Sequence, residues 1–140
     1  MAAATLLSDF RSLTEQAIQA SDQFCQLYYK YHDTKPHVLY RQFYTEKSLL
    51  VWNGNNYNGL HINEFFLNHP GTEHVVTAMD SQPINKIATA NVTSIMVICE
   101  GKVKYENERE WKFFTQNFLL MSENNTWKIV SDCFRFIDFD

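Results

Sequence analysis

Four residues of this chain have side chains that could take part in acid–base chemistry or line a polar pocket: Tyr28, His32, Trp52 and Asp80. A general acid or base must stand within hydrogen-bond reach of the proton it moves, so catalysis needs such groups brought together by the fold. No Asp–His pair occurs at a spacing diagnostic of catalysis. Each of the four has a simpler structural interpretation, as a core aromatic, a helix end or an interface residue.

The histidines and glycines form neither a metal-binding pattern nor a phosphate loop. His32 and His37 are five residues apart across a helix break, and the other histidines are dispersed. No spacing typical of metal ligands emerges. Asn53-Gly54-Asn55 is a tight-turn sequence rather than a glycine-rich phosphate loop. The sequence therefore predicts neither a metal nor a cofactor.

The cysteines do not suggest a disulfide framework. Cys25, Cys99 and Cys133 are odd in number, far apart in the sequence and each flanked by apolar residues. This pattern favours reduced, buried side chains.

Composition and charge narrow the class of protein. The 140 residues suit one domain, 1–140, and the 45% hydrophobic content excludes a disordered chain. The net charge is −4 and the 12 Lys and Arg residues are scattered, which argues against direct nucleic acid binding through a basic stripe. The sequence starts without a basic signal-peptide region, and no run of about 18 apolar residues occurs, so we expect a soluble, non-secreted protein without membrane contact.

A long amphipathic helix is predicted for the N-terminal part. Apolar residues recur every three or four positions, which is the stripe of a helix that covers a sheet. They are Leu6, Phe10, Leu13, Ala17, Ala20, Phe24, Leu27 and Tyr31. Pro36 ends this helix, because proline cannot continue the preceding turn. Two shorter helices are expected at 36–44 and 60–68, with a strand at 48–52 between them.

Only strands follow. Their apolar patterns predict strands at 73–82 and 92–99, and then a closing hairpin of two aromatic-rich strands, 111–121 and 127–137, joined by the polar turn 122–126. The order of elements predicts an α+β fold, with helices gathered on one face of a mostly antiparallel sheet.

The closing hairpin has large apolar side chains on both faces, so both faces need cover. The helices can cover one face, and a second subunit burying roughly 800 Å² per partner is the simplest cover for the other. Polar residues on that face would fix register and partner choice. We expect these to be Gln116, Asn117, Asp132, Arg135 and Asp80. A buried Arg135 would need a carboxylate opposite it; exposure at a strand end, or pairing within the chain, is the alternative.

Four segments together resemble the nuclear transport factor 2-related export proteins, a family whose members are the small subunit of the heterodimeric general mRNA export receptor. The resemblance extends from about Phe10 to Phe139. The segments are Leu50-Val51-Trp52-Asn53-Gly54-Asn55, Asp80-Ser81-Gln82-Pro83, Phe114-Thr115-Gln116-Asn117-Phe118 and Trp127-Lys128-Ile129-Val130-Ser131-Asp132-Cys133-Phe134-Arg135-Phe136. The resemblance implies a nuclear transport factor 2-like cone whose bent sheet packs against the large receptor subunit.

The resemblance also implies roles for individual residues. Asp80 would meet an Arg of the large subunit and Arg135 an acidic residue, with Gln116, Asn117 and Cys133 as further partner-binding positions. The large subunit would bind RNA, adaptors and Phe-Gly nucleoporin repeats, so this chain would meet mRNA and nucleoporins only indirectly. A non-enzymatic subunit that shuttles between nucleus and cytoplasm is expected.

The sequence leaves two other functions as alternatives. The sister branch, nuclear transport factor 2 itself, is a homodimer that imports GDP-bound Ran through an acidic residue after the strand tryptophan and two loop aspartates. Here Asn53 follows Trp52, and Glu106 and Glu108 stand in the loop, which speaks against Ran import. The same fold also hosts small dehydratases and isomerases, which use residues inside the cone.

Overall fold

The chain forms a six-stranded sheet with three helices. The computed structural model describes residues 2–85 and 92–138, with side chains from residue 11 onward. The elements are α1 (Ala2–Thr34), α2 (Pro36–Phe43), β1 (Leu49–Trp52), β2 (Asn55–Asn58), α3 (Leu60–Leu67), β3 (Thr72–Pro83), β4 (Ser94–Tyr105), β5 (Lys112–Glu123) and β6 (Thr126–Ile137). The strand order is β2-β1-β6-β5-β4-β3.

The sheet is mixed, with one parallel pair. β1 runs parallel to β6, with Leu50 beside Asp132, and every other neighbouring pair is antiparallel. A parallel pair needs a long crossover, and here α3 and four strands lie between β1 and β6 in the chain. The predicted α+β class is confirmed.

The first two helices meet at the proline that the sequence marks. Pro36 occupies the first turn of α2, where its missing N–H costs nothing, and Lys35 before it leaves the helical conformation, with φ −142° and ψ 60°. The C-terminal end of α2 is bonded to β6. Lys128 Nζ donates to the carbonyl oxygens of Arg41 (3.3 Å) and Gln42 (2.8 Å). A cation at a helix C-terminus satisfies free carbonyls and the helix dipole.

Aromatic side chains fill the concave side of the sheet. The ring of Tyr28 on α1 is fully buried and lies against Phe24, Phe43 and Phe118, at centroid distances of 5.6, 5.6 and 4.9 Å. Near the other end of the core, the ring of Trp52 stacks on another buried aromatic ring at 3.8 Å. Such pairs stabilise beyond the area they bury.

Two irregularities bend the sheet. The register shifts between Val76 and Ala78 where β3 pairs with β4, and again between Leu119 and Leu120 where β5 pairs with β6. Bulges increase strand twist and curvature. At the first bend Gly101 lies opposite Val76, and a Cβ atom there would be 2.2 Å from the carbonyl oxygen of Val75. The backbones can approach this closely only because residue 101 is glycine.

The observed boundaries differ from expectation in two strands. β2 was expected only as a turn, because its asparagine-rich sequence has low strand propensity; it forms by pairing along β1. β4 runs to Tyr105 rather than ending at Cys99. Its second half contains Gly101 and two lysines, which weaken the apolar signal.

Gly101→Ala is expected to destabilise the fold by about 2 kcal/mol or more, because the added methyl group collides with backbone that cannot rotate away. Chemical denaturation measures the change. Gly71→Ala is the matched control: its Cβ would meet the Glu106 carboxylate at 2.6 Å, at the far end of a flexible exposed side chain. Equal stabilities of the two variants would contradict a tight approach at Gly101.

Candidate functional site

One face of the sheet carries the helices. α1, α2 and α3 all contribute buried residues to the single core on that side, together with inward side chains of the strands. Alternate residues of each strand point the other way, since successive side chains in a strand face opposite sides. We call this second side, which is turned away from the core, the open face.

A row of side chains in register crosses the centre of the open face. Asp80, Ile98, Asn117, Cys133 and Val51 lie side by side on β3, β4, β5, β6 and β1. Ile98 is 43% exposed although both its sequence neighbours are buried. The row therefore places apolar and small polar side chains on one accessible surface.

Further apolar side chains lie on either side of this row. Met96 and Leu119 are paired on one side of it, and Phe113, 47% exposed, lies towards the other end of β5. Exposed apolar side chains that are contiguous over several strands are typical of an interaction surface.

Charged groups surround the apolar centre. Asp80 and Arg135 are both exposed on the open face, three strands apart and two residues out of register, which is about 16 Å at the usual strand spacing and rise. The two ion pairs found in residues 2–85 and 92–138, His74–Asp33 and Lys112–Glu108, include neither of them. Both charges are available to a partner.

The structure separates the predicted partner-binding residues into two sets. Asp80, Asn117, Cys133 and Arg135 lie on the open face, as their registers place them. Gln116 does not: it is 1% exposed and points into the core. The prediction that Gln116 contacts a partner is wrong, because neighbouring residues of a strand cannot share a face.

Asp132 was also expected on the partner side and lies in the core instead, 2% exposed. The reason is strand alternation: Asp132 is next to Cys133 and three residues before Arg135, which both face outward, so it faces the core with Phe134. The second bulge acts on the preceding part of β6. Leu119 pairs with Ser131 and Leu120 with Ile129, so Val130 is an extra residue and Ile129 shares the buried side with Asp132.

Buried Asp132 is held by a hydrogen-bonded network. The Tyr44 hydroxyl donates to Oδ2 (2.6 Å) and Gln116 Nε2 donates to Oδ1 (2.8 Å). The Tyr28 hydroxyl bonds to that of Tyr44 (2.7 Å), and Tyr29 donates to Gln116 Oε1 (2.7 Å). The network links α1, the segment after α2, β5 and β6, and it satisfies both carboxylate oxygens.

Burial dominates the ionisation of this network. It raises the pKa of Asp132 to about 6, against the opposing effect of the hydrogen bonds from Tyr44, Gln116 and Tyr28. Burial, followed by the nearby Asp132 charge, raises the pKa of Tyr28 and of Tyr44 well above the ordinary value. The three tyrosines and Gln116 are all buried, so the carboxyl group faces protein and not an open pocket.

Three histidines form a second cluster inside the fold. The ring of His32 lies 4.6 Å from that of His74 and 5.7 Å from that of His69, between centroids. Asp33 accepts a hydrogen bond from the His74 backbone N–H and contacts its ring nitrogen. Burial, then the charges of the other two histidines, lowers the pKa of His32 well below its ordinary value, and burial and His74 lower that of His69 to about 4.

Three of the four candidate catalytic residues lie together in the core. The ring of His32 is 6.1 Å from that of Tyr28 and 6.3 Å from that of Trp52, between centroids, and all three are buried within aromatic packing. Asp80 is on the open face and does not join them. Sequence reasoning missed Asp132 as the interior carboxylate, although its position one residue before Cys133 and three before Arg135 indicates that it faces the opposite side from both.

In the described ranges, no three His, Cys, Asp or Glu side chains are grouped so that they could hold a metal ion. The helices that the structure describes include none with the length and apolar character needed to cross a bilayer.

The chain is similar in sequence and in fold to known proteins. The family model described as the nuclear transport factor 2 (NTF2) domain matches residues 20–136. The chain belongs to the nuclear transport factor 2 family. It is 41% identical to NTF2-related export protein 2 of Homo sapiens over 94% of each chain, and 38% identical to NTF2-related export protein 1 of Bos taurus over 94% of this chain and 96% of that one.

A solved structure in the nuclear transport factor 2 family agrees with the architecture. Nuclear transport factor 2 from Cryptosporidium parvum superposes with a TM-score of 0.76 at 27% identity, covering 87% of this chain and 95% of that one. In the present member of the family, Asn53 is a turn residue: its φ is +47°, and its Oδ1 accepts the N–H of Phe136 at 3.3 Å. Asparagine tolerates this left-handed conformation better than most residues.

Stability should depend on pH through two opposing groups. Asp132 has an ordinary pKa of 3.8 and a folded pKa of about 6, so its contribution is complete below pH 3.8 and is lost as the pH rises through 6. His69 has an ordinary pKa of 6.5 and a folded pKa of about 4, so its contribution is complete above pH 6.5 and is lost as the pH falls towards 4. The two slopes oppose each other between about pH 4 and 6.

Asp132→Asn removes the contribution of Asp132 to the pH dependence of stability. We expect its unfolding free energy to rise with pH between about 4 and 6 more steeply than that of the wild type, the difference accumulating to about 3 kcal/mol. Urea denaturation at several pH values measures this. Asp22→Asn, at an exposed position of α1, controls for the change in net charge. Parallel curves for wild type and Asp132→Asn would contradict the shifted pKa of Asp132.

Proposed function

We propose that this chain is a non-enzymatic subunit of a nuclear export factor and that it binds a larger subunit of an mRNA export receptor through the open face. The chain would act in both nucleus and cytoplasm by moving through the nuclear pore with its partner. The observation that carries the proposal is the exposed row of Ile98, Asn117 and Cys133, flanked by Asp80 and Arg135 with no ion pair in the described residues.

The composition of the open face supports a protein partner. Its centre is apolar, with Val51, Met96, Ile98 and Leu119, and its charges lie around that centre. Stable interfaces have this arrangement, with an apolar core and a polar rim. A sheet face of this kind can supply the roughly 800 Å² per partner of a standard interface.

The charges of Asp80 and Arg135 predict complementary charges on the partner surface. Asp80 would bind a cation of the large subunit and Arg135 a carboxylate, so the partner surface would carry both charges about 16 Å apart. Asn117 lies between them and would contribute hydrogen bonds, and Cys133 would be buried as a small apolar side chain. This chain would reach mRNA and Phe-Gly nucleoporins only through the partner.

The interior supports a non-enzymatic role. The single carboxyl group that was found inside the fold among the described residues, Asp132, is bonded to Tyr44 and Gln116 and packed beneath α1. A general acid or base has to reach a substrate, and this group is enclosed by buried side chains. We therefore place function on the outer surface of the sheet.

Ile98→Glu tests the face itself. A charge at the apolar centre of an interface is desolvated without a partner, so we expect binding to the large subunit to fall at least about 30-fold. Pull-down and calorimetry with the purified large subunit measure the loss. Leu67→Glu, at an exposed apolar position of α3, is the control and should bind normally. Wild-type affinity for Ile98→Glu would rule out the open face.

Arg135→Asp and Asp80→Arg test the ion pairs. Each reversal places like charges together, and we expect a loss of roughly 2 kcal/mol or more in binding, with unchanged circular dichroism. Arg109→Asp makes the same charge change in the exposed loop before β5 and should have little effect. If both reversals bind normally while Ile98→Glu does not, the face is right and the ion-pair assignment is wrong.

A further inference from the structure

Two of the cysteines meet inside the core. Cys25 on α1 and Cys99 on β4 are 74 residues apart in the sequence, yet their Sγ atoms are 3.3 Å apart. Cys25 is 6% exposed and Cys99 is inaccessible, whereas Cys133 is exposed on the open face. The expectation of reduced, buried thiols is confirmed for Cys25 and Cys99 and is wrong for Cys133, which is at the surface.

The short separation suits a covalent bond. A disulfide has an S–S distance of about 2.05 Å, so the sulfur atoms need to approach by only about 1.3 Å. The strand and the helix are held in place by packing on either side: Tyr29, one turn after Cys25, donates to Gln116, which is the residue paired with Cys99 on the neighbouring strand. The scaffold therefore presents the two thiols to each other before any reaction.

We propose that Cys25 and Cys99 form a reversible intramolecular disulfide when the protein meets hydrogen peroxide, and that this bond locks α1 onto the centre of β4. The inference goes beyond the proposed function and does not depend on it. It assigns a modification site to this pair of cysteines.

The reaction balances with peroxide as the only oxidant. One thiol attacks hydrogen peroxide, which gives a sulfenic acid and one water molecule; the second thiol then displaces that hydroxyl as a second water molecule and forms the S–S bond. The hydrogen bond with Cys99, and then burial, raises the pKa of Cys25, whereas the hydrogen bond with Cys25 lowers the pKa of Cys99. Cys99 is therefore the better nucleophile and reacts first.

The size of the oxidant matters because the pair is buried. Hydrogen peroxide is little larger than water, whereas a glutathione adduct at Cys99 would have to displace α1. Ser21, one turn before Cys25 on the same side of the helix, has a buried hydroxyl without a hydrogen-bond partner among the described residues. It supplies a polar group beside the pair that can bond to a small polar oxidant.

The bond would act directly behind the open face. Cys99 lies between Ile98 and Glu100, which both point outward from β4. A cross-link to α1 fixes the middle of this strand from the core side. Closing a loop of 74 residues between the two cysteines also restricts the unfolded chain, which is the main source of disulfide stabilisation.

The test uses Cys133→Ser, which removes the exposed thiol and leaves the core unchanged. After treatment with hydrogen peroxide, we expect an intact mass lower by two hydrogen atoms, a non-reduced peptide linking Cys25 to Cys99, and a Tm higher by roughly 5 °C or more. A phosphine reductant should reverse all three changes. Cys25→Ala in the same background is the control and should show neither the cross-link nor the rise in Tm.

Two outcomes would overturn the proposal. One is a Cys133→Ser protein whose Cys25 and Cys99 remain free, or become sulfinic acids without a cross-link, under peroxide treatment that oxidises Cys133 in the wild type. The other is a cross-linked protein with an unchanged Tm, which would show that the bond does not lock the fold. Because neither readout involves the large subunit, these outcomes are independent of the export assignment.

Discussion

The sheet has two faces, and α1, α2 and α3 lie on the same one. Tyr28, Phe118 and their aromatic neighbours fill the space beneath these helices, and burial of such side chains is the dominant stabilising contribution to folding. The other face therefore keeps Ile98, Met96 and Leu119 at the surface. The bends at Gly101 and at the second bulge give that face its shape, so the site depends on features of the core side.

The interior contains a carboxyl group that is packed and hydrogen-bonded rather than open to a ligand. Asp132 is a carboxyl group with a pKa raised to about 6, which is a property often seen at catalytic sites. It is nevertheless fully hydrogen-bonded and covered by Tyr28 and Tyr44. Its role is structural, since it connects two strands to α1 and to the segment after α2. The same reasoning applies to His32, which is enclosed by aromatic rings.

Much of the fold could be predicted because the patterns are periodic. The stripe of α1, its end before Pro36 and the aromatic strands of the closing hairpin all follow from spacing. Apolar side chains on both faces of β4 follow the same alternation, and the structure has Ile98 exposed between two buried neighbours. Asn117, Cys133 and Arg135 lie on the open face, and their contact with a partner stays a prediction.

The errors arise where strand alternation was not applied or where contacts are long-range. Asp132 was grouped with Arg135 in the same strand, although strand residues three positions apart face opposite sides. Gln116 was grouped with Asn117 although adjacent strand residues face opposite sides. The pairing of Cys25 with Cys99 depends on how α1 crosses β4, which no sequence spacing encodes.

Cys133 offers the most direct test of the central claim, that the open face is the docking surface. Its thiol is exposed at the centre of that face, while Cys25 and Cys99 are buried and serve as internal references. Alkylation of the native protein with iodoacetamide, followed by mass spectrometry, reports the accessibility of each thiol. The account predicts that Cys133 reacts in the free chain and is strongly protected in the complex with the large export-receptor subunit. Equal reaction of Cys133 in the free chain and in a stoichiometric complex would contradict it.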